Sequence, residues 1–292
     1  MTRILVSGRN GQVGHELRRT LSTLGEVIAL GRDELDLSNP DQIRTQIQTI
    51  KPDFIVNAAA YTAVDAAESN ADTAMQINGT APGIIAEEAK KIGAAAIHYS
   101  TDYVFDGSKT TPYVETDSPN PIGVYGKTKL AGEQAIQAVD LPHLILRTSW
   151  VYGRYGKNFY NTILRLAYER EELGIVADQI GCPTWSRTIA ETTAQLIAQQ
   201  LGGTGPHFNE CSGIYNLVSK GETSWHGFAK LFLELDPNKS QQKLKTLNAI
   251  GTDDYPTPAK RPAYSVMSTE KLERTFKLCM PQWQQSVELI SE

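Results

Sequence analysis

The chain has 292 residues, 40% hydrophobic and 21% charged, enough apolar content to bury a sizeable core and about the length of two domains. Lys plus Arg number 28 against 33 Asp plus Glu, a net charge of −5. That balance argues against a nucleic-acid backbone as partner, because such binding draws its affinity from a basic face. No apolar run is long enough to cross a bilayer or to form a secretory leader, so a cytoplasmic setting is expected. Three scattered cysteines, Cys182, Cys211 and Cys279, suit a reducing compartment and fit neither a disulfide framework nor a metal cage.

Short apolar runs alternate with helical patterns along the first two thirds of the chain. Strands are expected at Ile4–Ser7, Glu26–Leu30, Asp53–Ala59, Ala95–Ser100 and Leu144–Trp150. Between them lie helices over Val13–Leu24, Asp41–Ile50, Asp72–Lys91 and Gly126–Val139, the third interrupted at Pro82 and Gly83. Asn39 and Pro40 suit the N-cap and first position of the second helix. The alternation predicts βαβ units and a Rossmann-type, doubly wound parallel sheet with helices on both faces. Beyond Tyr152 the pattern changes. Helices are expected at Asn158–Glu172, Arg187–Leu201 and Thr223–Leu235, with a short strand at Ile214–Val218. Gly174–Thr184 and Asp236–Tyr264 read as loops. The layout is a nucleotide-binding domain over 1–152, rejoined by about 186–218, and a smaller C-terminal substrate-binding domain from 153–185 and 219–292.

Gly8, Gly11 and Gly14 follow the first strand and open the first helix, where a dinucleotide pyrophosphate can meet free N–H groups and the positive end of the helix dipole. Their G-x-x-G-x-x-G spacing is one residue longer than the common fingerprint. The second strand ends at Gly31 and Arg32, where an NAD site usually places an acid. A cation there can neutralise a 2′-phosphate, so NADPH is favoured, with Arg9 a second phosphate contact; Asp33 nearby leaves NADH usable too.

Tyr125 and Lys129 stand four residues apart on one helix face. An ammonium beside a phenol favours the phenolate and lowers its pKa, which equips the tyrosine as a general acid toward a ketone. Ser100 and Thr101 end the fourth strand, where ligands bind in an open parallel sheet; in a regular strand only one of the two hydroxyls would face the substrate. Asn57, Ala58 and Ala59 end another strand, with small side chains that let a cofactor approach the backbone. Arg261 can pair bidentately with phosphate oxygens. His98 reads as a satisfied interior side chain, Cys182 as a packing residue, and the apolar face of Thr223–Leu235 as core.

Together these segments resemble the extended short-chain dehydrogenase/reductases. The stretches 98–105, 125–133, 147–152 and 255–262 are similar to the dTDP-4-dehydrorhamnose reductase branch of that family. The resemblance implies hydride transfer from NAD(P)H to the C4 ketone of dTDP-4-dehydro-L-rhamnose. It makes Thr101, Tyr125 and Lys129 the catalytic trio, in preference to Ser100, with Asn78 in support. It places Gln12, Val13, Asp36, Leu37, Ala60, Tyr61 and Thr62 on the cofactor, alongside Gly8, Gly11, Gly14, Arg9, Arg32, Ala58 and Ala59. Asp102, Tyr103, Trp150, Asn158, Gln179 and Arg261 would contact the nucleotide sugar. Some members are magnesium-bridged dimers joined through glutamates. Glu16 matches one such position, but Arg187 stands at another, which argues against the bridge; monomer and homodimer both stay open. Two other readings remain: another sugar-nucleotide enzyme such as an epimerase or dehydratase, disfavoured because Tyr103 rather than a second acid follows Asp102, and a non-catalytic relative like the regulatory subunit of methionine adenosyltransferase.

Overall fold

The computed structural model describes residues 1–292. The first half alternates β1 (Arg3–Ser7), α1 (Gln12–Thr20), β2 (Glu26–Leu30), α2 (Pro40–Ile50), β3 (Phe54–Asn57), α3 (Val64–Ala67), α4 (Ala71–Met75), α5 (Ala81–Ile92), β4 (Ala95–Thr101), α6 (Val124–Gln137) and β5 (His143–Thr148). The second half carries β6 (Val151–Tyr152), α7 (Phe159–Glu169), β7 (Glu172–Val176), β8 (Ile180–Gly181), β9 (Thr184–Trp185), α8 (Ser186–Gly202), α9 (Phe208–Cys211), β10 (Gly213–Asn216), β11 (Thr223–Ser224), α10 (Trp225–Glu234), β12 (Thr246–Ile250), α11 (Glu270–Phe276) and α12 (Trp283–Ser291).

Six strands form one parallel sheet in the order β10-β5-β4-β3-β1-β2. The doubly wound parallel sheet expected from the alternation is therefore present. Its strands are nearly continuous apolar runs because helices cover both faces. On one face Ile4, Val6, Val56, Ile97 and Leu144 pack with Leu17 of α1 and Leu21 at its C-cap, Ile189 and Leu196 of α8, and Phe276 of α11. On the other, Leu5, Ile55 and Ile145 pack with Ile43 and Ile47 of α2, Ile84 and Ile85 of α5, and Ile136 of α6. Neighbouring strand residues thus serve opposite cores, and burying each such side chain contributes about 1.5–3 kcal/mol. A third apolar cluster gathers α7, β7, α10 and α12 around Phe228 and Phe232, so the apolar face of α10 is core as expected.

Several local expectations change. The long helix after β3 is not broken at Pro82. Pro82 lies in the first turn of α5, where a missing N–H costs nothing, and the irregularity is a π-helical turn at Gln76–Thr80 around Asn78. Asn39 caps α2 as expected, its side chain accepting from the Asp41 and Gln42 N–H groups at 3.1 Å each. The helix expected to run to Glu172 ends at Glu169, β7 takes Glu172–Val176 across the start of the expected loop 174–184, and it pairs in parallel with β12 inside the expected loop 236–264. Glu172–Val176 does alternate exposed and buried residues, a period-two signal obscured by the glycine at its centre. Helices α11 and α12 also lie in sequence that carried no helical expectation.

Candidate active site

The chain runs from β1 to β2 on one side and then returns to β3 on the other side of β1. Such a reversal leaves a crevice at the carboxyl ends of the strands, the usual ligand position in open parallel sheets. A cavity of about 510 Å³ opens there. Its walls come from the ends of β1, β2, β3, β4 and β5 and from the face of α6.

The glycine turn forms one wall because it can approach closely. Gly8 has φ +75°, and a Cβ on it would lie 2.9 Å from the Ala59 nitrogen. A Cβ on Gly14 would lie 2.0 Å from the Gly8 carbonyl oxygen, so only glycine lets α1 start this close to β1. Gly8, Gly11, Gln12, Val13, Arg32, Asp36, Leu37, Ala58, Ala59, Ala60, Tyr61, Thr62, Tyr125 and Lys129 all face this one cavity. Two expected cofactor residues do not. Gly14 packs beneath the turn, and Arg9 lies beside Gly31, its guanidinium 2.6 Å from the Glu34 carboxylate. Arg32 is exposed and 3.7 Å from Asp36, whose carboxyl is held below its usual range first by the Ser38 N–H. Asn10, Leu35, Ile77, Tyr99, Thr148, Val151, Gly156 and Lys157 also line the cavity, none of them marked by a motif, as does Ser100, the hydroxyl set second to Thr101. They sit at strand ends, on the π-helical turn and in separate loops, positions that only the assembled sheet brings together.

Lys129 is 2% exposed. Its Nζ donates to the Tyr99 carbonyl at 2.6 Å and lies 3.0 Å from His98 Nε2. Burial brings its pKa down to about 8, opposed by the Glu133 carboxylate one turn away. Tyr125 is half-buried and packs edge-on against Tyr103, with ring centroids 5.5 Å apart. Its pKa is pushed up to about 12, first by burial and also by the Asp102 charge, while a hydrogen bond with the Thr101 hydroxyl pulls it down. This differs from the expectation of a phenol made more acidic by its lysine. The ammonium is turned into the sheet toward Tyr99 and His98, so the protein by itself keeps Tyr125 as the neutral acid.

Ser100 faces the cavity, and its buried Oγ has no partner there. Thr101 Oγ1 donates to Asp102 Oδ1 at 3.0 Å and accepts from the Tyr103 N–H at 3.2 Å. Asp102 is buried, with Oδ2 unpartnered, and burial raises its pKa to about 6. Asn78 bonds both backbone groups of Tyr61, at 2.8 and 3.0 Å, and reaches Thr128 Oγ1 at 3.3 Å. It thereby ties the loop after β3 to α6.

The expected substrate residues are less tightly grouped. Trp150, held at φ +46°, stacks on Trp225 with centroids 3.5 Å apart, and a Cβ on Gly181 would strike its ring. Arg261 pairs with Asp65 at 2.9 Å and also bonds Thr257. Gln179 is buried and donates to Thr252 Oγ1 at 3.0 Å. Asn158 caps α7 and bonds Gln12 Oε1 at 2.8 Å, which places it beside the glycine turn. Cys182 is fully buried, and burial pushes its thiol up to about 12, in keeping with a packing role.

Glu16 does not suit magnesium. Its carboxylate lies 2.7 Å from Arg19 and 3.6 Å from Arg187, so two guanidiniums already surround it. No group of three or more His, Cys, Asp or Glu side chains converges on a point that could hold a metal ion.

Comparison with known proteins bears on the same site. The family model described as "RmlD substrate binding domain" matches residues 1–292. A dTDP-4-dehydrorhamnose reductase of Burkholderia thailandensis is 47% identical, with 98% of this chain and 97% of that protein aligned. One from Shigella flexneri is 48% identical over 97% of this chain and 95% of its own. Among solved structures, the Bacillus anthracis dTDP-4-dehydrorhamnose reductase in complex with NADP superposes with a TM-score of 0.89, at 35% identity and 99% coverage of both chains.

Proposed function

The chain belongs to the RmlD family, its relatives at 42–48% identity are dTDP-4-dehydrorhamnose reductases, and from that premise we propose that it reduces the C4 ketone of dTDP-4-dehydro-L-rhamnose with NADPH. The observation that carries the reading is one cavity lined by the glycine turn, the three alanines after β3, Tyr125 and Lys129 together. The cradle fits a dinucleotide: Gly8 and Gly14 let the turn lie tight against Ala58, Ala59 and the start of α1, where a Cβ would strike backbone, and N–H groups at the start of α1 favour an anion.

In this reading Gly8, Gly11, Gln12 and Val13 hold the pyrophosphate and Arg32 the 2′-phosphate, with Arg9 in reserve behind its Glu34 pair. Bound NADPH supplies the hydride. Lys129 fixes the nicotinamide ribose, and its charge stabilises negative charge that develops on Tyr125. Tyr125, protonated at neutral pH because its pKa lies near 12, donates to the oxygen of the ketone as that oxygen gains charge. Thr101 turns its one hydroxyl hydrogen from Asp102 to the same oxygen. Asp102, Tyr103 and Trp150 form the sugar side, with the unpartnered Asp102 Oδ2 free to accept from a sugar hydroxyl. Arg261 offers a guanidinium to the diphosphate once it leaves Asp65. Gln179 and Asn158 support the loops around this pocket. No step needs magnesium.

The test is oxidation of NADPH by the purified protein when dTDP-4-dehydro-L-rhamnose is added. Tyr125→Phe should cut turnover by roughly a hundred- to ten-thousandfold, the usual span for a general acid, and spare NADPH binding. A Phe variant that keeps its rate would remove the proton-donor role from Tyr125.

A further inference from the structure

A buried polar row lies behind the cavity, and the reaction as written makes no use of it. Ser7, Asn57 and His98 occupy matching positions on three adjacent strands, Ser7 opposite Asn57 across β1–β3 and Asn57 opposite His98 across β3–β4. All three are 3% exposed or less. Ser7 Oγ is 2.6 Å from Asn57 Oδ1, Asn57 Nδ2 is 3.0 Å from His98 Nδ1, and His98 Nε2 is 3.0 Å from Lys129 Nζ. Ser7 Oγ also receives the Ala59 N–H at 3.2 Å, which links the row to the cavity wall. Polar groups this deep in a sheet are costly unless paired, and here each one has a partner.

We propose that His98 is a positioning residue for Lys129: its neutral imidazole, backed by Asn57 and Ser7, holds the lysine nitrogen at the cofactor cavity and couples its protonation to the imidazole tautomer. This rests on the assignment of Lys129 to the reductase reaction and adds a residue to it.

Donor counting gives the coupling. An ammonium has three donors and no acceptor. While Lys129 is charged, His98 Nε2 must accept and Nδ1 must carry the hydrogen. Nδ1–H then needs an acceptor, which Asn57 supplies only with its amide oxygen turned toward the ring; the two amide orientations have nearly the same shape. With Nδ2 toward the ring, the orientation drawn in the structure and one amide flip from the first, Asn57 donates to Nδ1, the hydrogen moves to Nε2, and Nε2–H donates to a neutral Lys129 amine. Asn57, His98 and Lys129 are satisfied in both arrangements, and each fixes a different charge on the lysine; in the first, Ser7 Oγ accepts from both Asn57 and Ala59, and its own hydrogen gives up its bond to Asn57. The imidazole stays neutral in both, because burial first and the Lys129 charge second hold its pKa well below the usual histidine value. The other groups around Lys129 are the Tyr99 carbonyl on β4, Glu133 on α6 with its Arg147 partner on β5, and Tyr125 in the same cavity wall.

NMR of the cofactor-free protein tests this directly. In the wild type, His98 should show an unprotonated Nε2 at neutral pH and no titration in the ordinary histidine range. His98→Asn keeps a partner for Asn57 and loses the one for Lys129. It should lower the Lys129 titration midpoint by about one unit, the size of a hydrogen bond to a charged group. His98→Gln restores an acceptor near the Nε2 position and should return the midpoint toward wild type. With NADPH and the keto-sugar, His98→Asn should reduce kcat about tenfold and move its alkaline limb to lower pH, leaving the sugar KM unchanged, and His98→Gln should recover most of both. A wild-type His98 protonated at Nε2 with Lys129 charged would overturn the proposal, as would Asn and Gln variants with identical Lys129 titrations. A wild type without turnover would refute only the reductase reading, because the NMR titrations still decide the role of His98.

Discussion

Glu133→Gln probes the join between the core and the site. Glu133 on α6 and Arg147 on β5 are each 1% exposed. Their bond is bidentate, Arg147 Nε to Oε1 at 2.8 Å and Nη2 to Oε2 at 2.6 Å. The guanidinium also sits 5.1 Å above the Phe105 ring, and its Nη1 already lacks a partner. Glutamine keeps the shape but removes the charge and one acceptor, leaving a guanidinium uncompensated in the interior. Breaking one side of such a pair costs about 3–5 kcal/mol, whereas replacing both partners with apolar residues of similar volume can be nearly neutral. Urea unfolding should therefore show Glu133→Gln less stable by about that amount, and Glu133→Leu combined with Arg147→Met should lose much less than the two single changes added together. A second effect reaches the chemistry. The Glu133 charge raises the Lys129 pKa, so its loss should carry that value below about 8 and shift the alkaline limb of kcat to lower pH. A stability loss under about 1 kcal/mol, or strictly additive variants, would refute the view that the pair is a desolvated unit.

Two further outcomes follow from the geometry. Gly14→Ala forces α1 and the turn apart by more than an ångström, since its Cβ would sit 2.0 Å from the Gly8 oxygen; NADPH affinity measured by fluorescence should fall at least about tenfold, and an unchanged affinity would show that this contact does not shape the cradle. Asp102 has a folded pKa of about 6 against an ordinary 3.8, so the native state binds the extra proton between those values. Its stabilising contribution is present in acid and lost as pH rises through about 6, up to about 3 kcal/mol. Asp102→Asn should flatten that part of the stability–pH curve, and a curve parallel to wild type would contradict the raised pKa.

Much of the frame was legible in the sequence, for physical reasons. Parallel strands buried on both faces must be apolar throughout, so β1 to β5 stand out as short runs between helical patterns. A backbone that must come within contact distance of another can carry only glycine, so Gly8 and Gly14 signal a close approach. Tyr125 and Lys129 share a face because four residues make about one helical turn. What the sequence could not reveal depends on neighbours far along the chain. The pairing of β7 with β12 needs two segments about seventy residues apart, and neither is strongly patterned alone. The direction of the Tyr125 shift was hidden for the same reason. Spacing puts a lysine one turn away, but burial, the Asp102 charge and the turn of Nζ into the sheet decide the proton's affinity. His98 looked like a satisfied interior residue, and it is one. Only the register of three strands reveals that its partners form a row ending on Lys129. Local order follows from nearest-neighbour sterics and the period of apolar residues, which a linear sequence contains. Charge, desolvation and hydrogen-bond completeness at the site depend on which distant strands become adjacent, and the folded sheet alone settles that.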